Sequence, residues 1–411
     1  MPPLTDDRSA KLPFVVLVLA AGIFLMGTTE FVIAGLLPEI SDDLGVSVSH
    51  AGLLITAFAA GMIVGAPAMA IATLRLPRRS TLVLALTVFA LGHVVAALSP
   101  SFAVVLAARV VTALATGTFW CVAAVVATTA AGPAMTSRAL GMLLGGMTVA
   151  NIAGVPLGSW LGQVSNWRGP FWVLAALSAA AAAVIGRYIP DEEQREARSV
   201  RAEFAALRQG RVWLALSAIA LLMGGVLATY TYISPLLTER AQIPAAAVPL
   251  VLTGYGAGAL LGTTVGGRLG DRRPLATLIT AAAASSLILL LLVFFSTSPV
   301  ATVVLVTVMG VTAFAASPGL GALVRRFAGS APTLASALAS SSSNVGVAVG
   351  SWAAGIALAS PLRQAGPPLV GTVTAALTLV PLTALALMRA TRSDDHAAAG
   401  DPSPRGRARV G

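Results

Sequence analysis

The chain has 411 residues, of which 57% are hydrophobic and only 10% charged. A water-soluble domain needs a surface about a quarter charged, so a soluble globular fold is excluded and most of the chain must face lipid. Its formal net charge of +10 is scattered over short segments and not gathered on one face, which excludes nucleic-acid binding as its explanation.

A hydrocarbon core about 30 Å thick needs about 20 apolar residues as helix. Twelve such runs follow in order, at 13–38, 50–73, 80–98, 102–127, 139–163, 169–189, 212–238, 246–269, 275–296, 299–324, 333–358 and 367–390. They do not alternate, so they predict helices and not the strands of about 10 residues of a membrane barrel. The first is too long for the apolar region of a signal peptide and is expected to stay in the membrane. With the amino terminus in the cytoplasm, 22 of the 26 Lys and Arg fall on inside segments, Arg168, Arg240 and Arg363 fall outside, and Arg109 lies in a span. That bias predicts both termini cytoplasmic.

The longest charged stretch between spans, residues 190–211, divides the runs six and six. At a constant offset of 197, Gly27 matches Gly224, Pro38 matches Pro235, Gly61 matches Gly258, Gly65 matches Gly262, Arg75 matches Arg272 and Pro77 matches Pro274. The chain is therefore expected to be an all-α membrane protein of twelve transmembrane helices in two pseudo-symmetric six-helix halves. Its parts are a cytoplasmic amino-terminal segment (1–12), a first half (13–189), a cytoplasmic central loop (190–211), a second half (212–390) and a disordered cytoplasmic tail (391–411). Parallel repeats of this kind bind substrate between the halves near mid-membrane.

Several segments carry a resemblance to the major facilitator superfamily, over about residues 13–390. Gly267-Arg-Leu-Gly-Asp271-Arg272-Arg-Pro274 resembles its cytoplasmic motif between spans two and three. The first-half copy around Arg75 has Leu74 where the acid is expected, so an acid-dependent latch of the inward gate would rest on Asp271. Ala150-Asn-Ile-Ala-Gly154-Val-Pro156-Leu-Gly158 resembles the antiporter signature of span five. Small residues at this spacing let helices approach closely, and span eight, with Gly254, Gly256, Gly258, Gly262 and Gly266, is its expected partner across the moving seam. The opening GTTEFVIAGLLPEISDDLGVS is similar to the chloramphenicol-exporter subgroup of drug:proton antiporters. The resemblance implies a proton-driven exporter in the bacterial cell membrane, working as a monomer on a small amphipathic drug, most directly a phenicol. Broader multidrug export, or sugar or nucleoside export, are the alternatives.

Sixteen acids occur in the chain, and only Glu30 falls within a span. Arg109 is the one comparably deep base. Each lies seven residues, about 10 Å, below the outer surface, and the resemblance sets spans one and four beside the central cavity, so the two are expected to meet. An ionisable residue at mid-membrane costs roughly 2.5–3.5 kcal/mol, and a carboxyl that can gain or lose an arginine partner has a proton affinity sensitive to small movements. Glu30 and Arg109 are thus the candidate proton-coupling residues. Ala34, Arg109, Thr116 and Trp120 share the expected substrate face with Glu30; Tyr230, chosen over Tyr232, and the deep amides Asn151 and Asn344 complete the set. His93 is expected to serve packing. No cofactor other than the coupling proton is expected, and an enzyme is excluded: the three histidines stand far apart, no metal or two-carboxylate motif falls within a span, and no phosphate-binding loop occurs.

Overall fold

The computed structural model describes residues 12–72, 76–189, 209–328 and 332–388. The calls on the amino-terminal segment, the central loop and the tail fall almost wholly outside these residues, as does the one on Arg75. Among the described residues, twelve helices are long and apolar enough to cross a membrane. They are α1 Phe14–Gly35, α2 Val48–Gly65, α3 Arg78–Leu98, α4 Phe102–Ala131, α5 Pro133–Val164, α6 Gly169–Tyr188, α7 Gly210–Thr231, α8 Ala245–Arg272, α9 Pro274–Phe295, α10 Pro299–Ala328, α11 Ala337–Ala359 and α12 Arg363–Met388. The helix of α2 runs on to Ala72. Both described ends of the chain lie toward one face of the bundle, the terminal face; a short helix Leu37–Leu44 lies on the opposite, distal face.

The two halves repeat one packing scheme. In the first, α1 packs on α5, α2 on α4 and α3 on α6; in the second, α7 packs on α11, α8 on α10 and α9 on α12. The glycines matched at the offset of 197 sit at equivalent seams. A side chain at Gly61 or Gly65 would meet the α4 backbone at Val110 or Leu114, and one at Gly258 or Gly262 would collide with the α10 carbonyls of Thr307 or Val311. Gly27 faces Met147 and Ala150 of α5, while Gly224 lies against the backbone of Gly346 in α11. Without a side chain at these points the helices close on one another, backbone to backbone at all of them but Gly27, which supplies dispersion contact where lipid offers no hydrophobic drive.

The expected seam between spans five and eight is only partly present. Gly154, Gly158 and Gly162 of α5 lie against Thr28, Val32 and Leu36 of the first span and its continuation, in the same half. Gly258, Gly262 and Gly266 face α10, again within one half; Gly254 meets Thr307 of α10 as well, and only Gly256 meets the α5 backbone, at Asn151 and Ile152. The reason is angular: residues two apart on a helix point about 200° apart, so Gly256 and Gly258 cannot serve the same neighbour. The antiporter-like stretch also holds a wide π-type turn, Ala150–Gly154, immediately before Pro156. A proline ring crowds the carbonyl four residues earlier and offers no N–H, and a π-bulge accommodates both.

The halves touch through α2 with α11 and α5 with α8. Hydrogen bonds join them from mid-depth to the distal face: Ser49 Oγ donates to the Gly355 carbonyl (2.7 Å), the hydroxyls of Thr56 and Ser351 bond (2.8 Å), and Gln163 Nε2 donates to the Ala245 carbonyl (2.9 Å). On the terminal side of Asn151 and Gly256 no hydrogen bond or ring contact joins described residues of the two halves. The bundle is thus clasped at its distal face. Asp271 and Arg272, on the terminal face, are exposed, and Asp271 makes no ion pair among the described residues; the latch expected there is unfastened in this conformation.

Distal loops of the first half are tied by Asp43, whose carboxylate pairs with Arg168 and accepts from Trp167 Nε1 (3.1 Å), while Arg168 Nη2 donates to the Ser99 carbonyl (3.1 Å). The Arg168 guanidinium, and after it the Trp167 indole, hold the Asp43 carboxyl below its usual range.

Two outcomes follow for purified protein in detergent. Gly258→Val forces α8 off α10 and should cost about 1–3 kcal/mol by overpacking, lowering the melting temperature, whereas Gly141→Ala, with open space around it, should leave it unchanged. A depressed carboxyl stabilises fully above the unfolded aspartate value of about 3.9 and loses that contribution as pH falls through its lower folded value. An exposed pair contributes at most about 1 kcal/mol, so Asp43→Asn should melt slightly earlier than the parent at pH 7, and the gap should close as the pH is lowered from about 4 toward 2.

Candidate functional site

Arg109 is sealed inside the first half, 1% exposed. Its guanidinium lies 4.2 Å from the centre of the Phe58 ring of α2. Nη1 donates to the Thr29 hydroxyl of α1 (3.1 Å) and Nε to the Leu54 carbonyl of α2 (3.4 Å), while Nη2 is buried with no partner. Such a group survives in a dry interior only where acceptors and a ring face replace its water.

The expected ion pair between Glu30 and Arg109 is not formed: no nitrogen–oxygen approach within 4.0 Å joins them. Glu30 is half-buried and makes no hydrogen bond to a described residue. The side chain that α1 presents to α4 is Thr29, and Glu30, one residue on, points about 100° further round the helix. The two ionisable groups are close enough for each to feel the other's charge, yet a hydroxyl occupies the position at Arg109 that the carboxylate was expected to fill.

Thr29 is also where His93 belongs to the site. His93 Nε2 lies 2.7 Å from the Thr29 hydroxyl and Nδ1 lies 2.8 Å from the Phe89 carbonyl. His93 is 1% exposed, with the rings of Phe89 and Phe171 at 4.2 and 5.6 Å. Sequence reasoning gave His93 to packing. The available signal was a histidine and an arginine on consecutive spans facing a first span that reads Thr28-Thr29-Glu30.

The other expected residues divide. Tyr230 is buried, stacked at 4.5 Å on Tyr255 and edge-on at 5.9 Å to Phe31 across the halves. Asn151 lies at the same inter-half contact, beside Gly256. Thr116 is buried and returns its hydroxyl to the Thr112 carbonyl of its own helix (2.8 Å). Asn344 does likewise with Ser340 (3.0 Å), so it does not bridge to a neighbouring helix. Trp120 is half-buried against the apolar cluster on the terminal side of α1, α3 and α4. Ala34 is fully buried in the 3₁₀ turn that ends α1. In this clasped conformation Ala34, Thr116 and Tyr230 are packing residues and line no open space.

Tyr232 has a different place. Its hydroxyl sits between α2 and α11, 3.3 Å from each of the Ser49 and Ser351 carbonyls, in the space left by Gly52 and Gly355. The helix of α7 stops at Thr231, and the break turns Tyr232 into the distal clasp.

The sequence profile of the Major Facilitator Superfamily matches residues 19–249 and again 232–409. A chloramphenicol resistance protein of Streptomyces lividans is 39% identical over 360 residues, covering 87% of this chain and 92% of that protein. The inner membrane transport protein YdhP of Escherichia coli (strain K12) is 33% identical over 370 residues, covering 90% and 95%. Among solved structures, a bacterial homologue of the human lysosomal transporter Spinster, inward-facing and unoccupied, superposes with a TM-score of 0.69 at 16% identity, covering 91% of this chain and 96% of that one.

The clasp makes a measurable claim. Tyr232→Phe removes the one hydroxyl hydrogen shared between the Ser49 and Ser351 carbonyls, worth about 1 kcal/mol, a shift of about fivefold in the balance between distal-closed and distal-open states. Spin labels on the exposed positions 50 and 359 should report a new, longer distance population in the variant; an unchanged distribution would show that the clasp lies elsewhere.

Proposed function

The chain belongs to the major facilitator superfamily, and on that premise we propose that it is a proton-driven drug exporter with Glu30 as its proton carrier and a phenicol as its cargo. The observation that carries this reading is Glu30 itself. It is the one acid in the interior of a membrane span, Asp271 lying exposed at the terminal end of α8; it is half-buried without a hydrogen bond to a described residue, and it stands beside an arginine with a spare donor. A paired, fully bonded carboxylate would be a structural fixture; an unpaired one beside an unsatisfied cation is free to change its protonation and its partner.

In this reading the terminal face is cytoplasmic, as the distribution of arginines requires, and the protein works as a monomer in the cell membrane. The clasped distal face then makes the conformation one that receives drug from the cytoplasm. Drug entry and loss of the Glu30 proton to the cytoplasm favour each other, because the released carboxylate can draw Arg109 toward it. After the halves rock and the distal clasp of Ser49, Thr56, Tyr232, Ser351 and Gly355 opens, Glu30 takes a proton from outside, Arg109 is let go and the drug leaves. Cargo of the phenicol class is supported by the Streptomyces relative named for chloramphenicol resistance.

The energetics suffice. One proton crossing about 100 mV supplies about 2.3 kcal/mol, and one pH unit adds about 1.4 kcal/mol. For a neutral drug exchanged one for one, that sum supports a concentration ratio of a few hundred.

Two measurements in a pump-deficient host and in proteoliposomes check the proposal. Glu30→Gln should abolish uphill, pH-driven chloramphenicol efflux while leaving drug exchange down its gradient. Intact uphill transport with confirmed expression would end the coupling role. A susceptibility panel of chloramphenicol, florfenicol, cationic dyes and sugar analogues should show protection against the two phenicols; protection against dyes alone would replace the phenicol reading with broad multidrug export.

A further inference from the structure

We propose that His93 is a positioning residue for transport: acting through the Thr29 hydroxyl, it holds Arg109 away from Glu30. The inference rests on Glu30 being the proton carrier.

Donor and acceptor roles along this chain of groups are fixed by chemistry. A carbonyl only accepts, so the Phe89 carbonyl obliges His93 Nδ1 to carry the hydrogen (2.8 Å). In the neutral ring Nε2 is then bare, and it accepts from the Thr29 hydroxyl (2.7 Å). With its hydrogen spent on His93, Thr29 Oγ1 offers lone pairs to Arg109 Nη1 (3.1 Å), which can only donate. The sequence of bonds runs one way, from arginine through hydroxyl and imidazole to a main-chain carbonyl.

Thr29 is held to this task by His93. A threonine in a helix commonly returns its hydroxyl to the carbonyl four residues earlier, and neighbouring Thr28 does so to Phe24 (2.8 Å). A Thr29 that did the same would turn its hydrogen from His93 and leave the imidazole nitrogen without a partner in a dry site, since Thr29 is 0% and His93 1% exposed. The histidine thereby selects the hydroxyl orientation that accepts from Arg109.

Two acceptors therefore compete for one guanidinium. Thr29 holds it in the conformation described, with Nη2 left over; an ionised Glu30 offers the stronger, charge-assisted bond. The competition makes the switch reversible. Without the hydroxyl, Arg109 keeps the Leu54 carbonyl and the Phe58 ring, but Nη1 loses its acceptor and joins Nη2 in turning to the carboxylate, so ionised Glu30 is favoured throughout the cycle and protonation is driven to lower pH. The titratable groups facing this cluster are Glu30 from α1, His93 from α3 and Arg109 from α4. From α2 it meets the Leu54 carbonyl and the Phe58 ring, and from α6 the Phe171 ring.

The test is uphill chloramphenicol transport in proteoliposomes as a function of pH, alongside downhill exchange, with each variant checked for monodispersity. Thr29→Val and His93→Leu should keep downhill exchange but move the pH midpoint toward acid by about one unit, a tenfold change in proton affinity. Thr29→Ser, which keeps the hydroxyl, and His93→Gln, whose amide oxygen can accept where Nε2 does, should restore the parental profile. Thr29→Ala stands in if the valine variant does not fold.

Loss of uphill transport in both His93→Gln and His93→Leu, with downhill exchange kept, would mean that the imidazole itself carries the proton, overturning a positioning role. A parental profile in Thr29→Val, with Glu30→Gln uncoupled, would overturn the inference while sparing the proton carrier. Full coupling in Glu30→Gln would remove the reading on which both rest.

Discussion

A guanidinium shut away from water inside a bilayer must be given acceptors by the protein, because the hydrocarbon around it has none. Arg109 meets that demand by drawing three other spans around it. Thr29 comes from α1, Leu54 and Phe58 from α2, and His93 reaches it through Thr29 from α3. The first four spans are thus registered on one cation at the depth of Glu30. That the cluster is nearly, not wholly, satisfied is its functional content: Nη2 is the donor left for the carboxylate beside it.

The coarse architecture was legible because it is summed over many residues. Hydropathy over 20 positions marks a span whatever the detail, and the two halves could be paired because Gly61 with Gly258, and Gly65 with Gly262, occupy equivalent helix crossings where only hydrogen fits. What escaped is azimuth. Spacing tells which residues share a face, but not which neighbour that face meets, so Gly256 and Gly258 were assigned to one seam though they serve opposite ones. By the same one-residue ambiguity Glu30 was set against Arg109 where Thr29 stands. Tyr232 was read as the lesser of two tyrosines on a continuous helix, but the helix of α7 ends one residue before it, and no hydropathy signal records that break.

The two kinds of seam differ in what would be needed to part them. In the second half the close crossings are backbone on backbone: Gly258, Gly262 and Gly266 on the α10 carbonyls, Gly224 and Gly350 on α11 and α7. There are no side-chain rotamers to exchange at such contacts, and interiors packed this way shift between discrete arrangements instead of deforming smoothly. Between the halves, by contrast, the distal contacts are hydroxyl and amide hydrogen bonds of 2.7–3.3 Å, several of them to carbonyls already engaged in helices. Each is worth about 1 kcal/mol net, so the clasp can be made and broken with energies that one proton can supply, while the halves move as bodies.

Rigid halves also explain why the coupling group and the clasp need not touch. Glu30 and Phe31 are consecutive on α1. Phe31 meets Tyr230 of α7, and two residues beyond Tyr230 the helix breaks to place Tyr232 between α2 and α11. The Arg109 cluster binds that same α2 through Leu54 and Phe58, and the hydroxyl between them in the chain, Thr56, bonds Ser351 of α11. A change in which acceptor holds Arg109 therefore acts on α1 and α2, which carry the first half's side of the distal closure except for Gln163 of α5. The link between proton and gate is then two short stretches of rigid helix, and it asks of the sequence only that Thr29, Glu30 and Arg109 be placed so that the cation has two destinations.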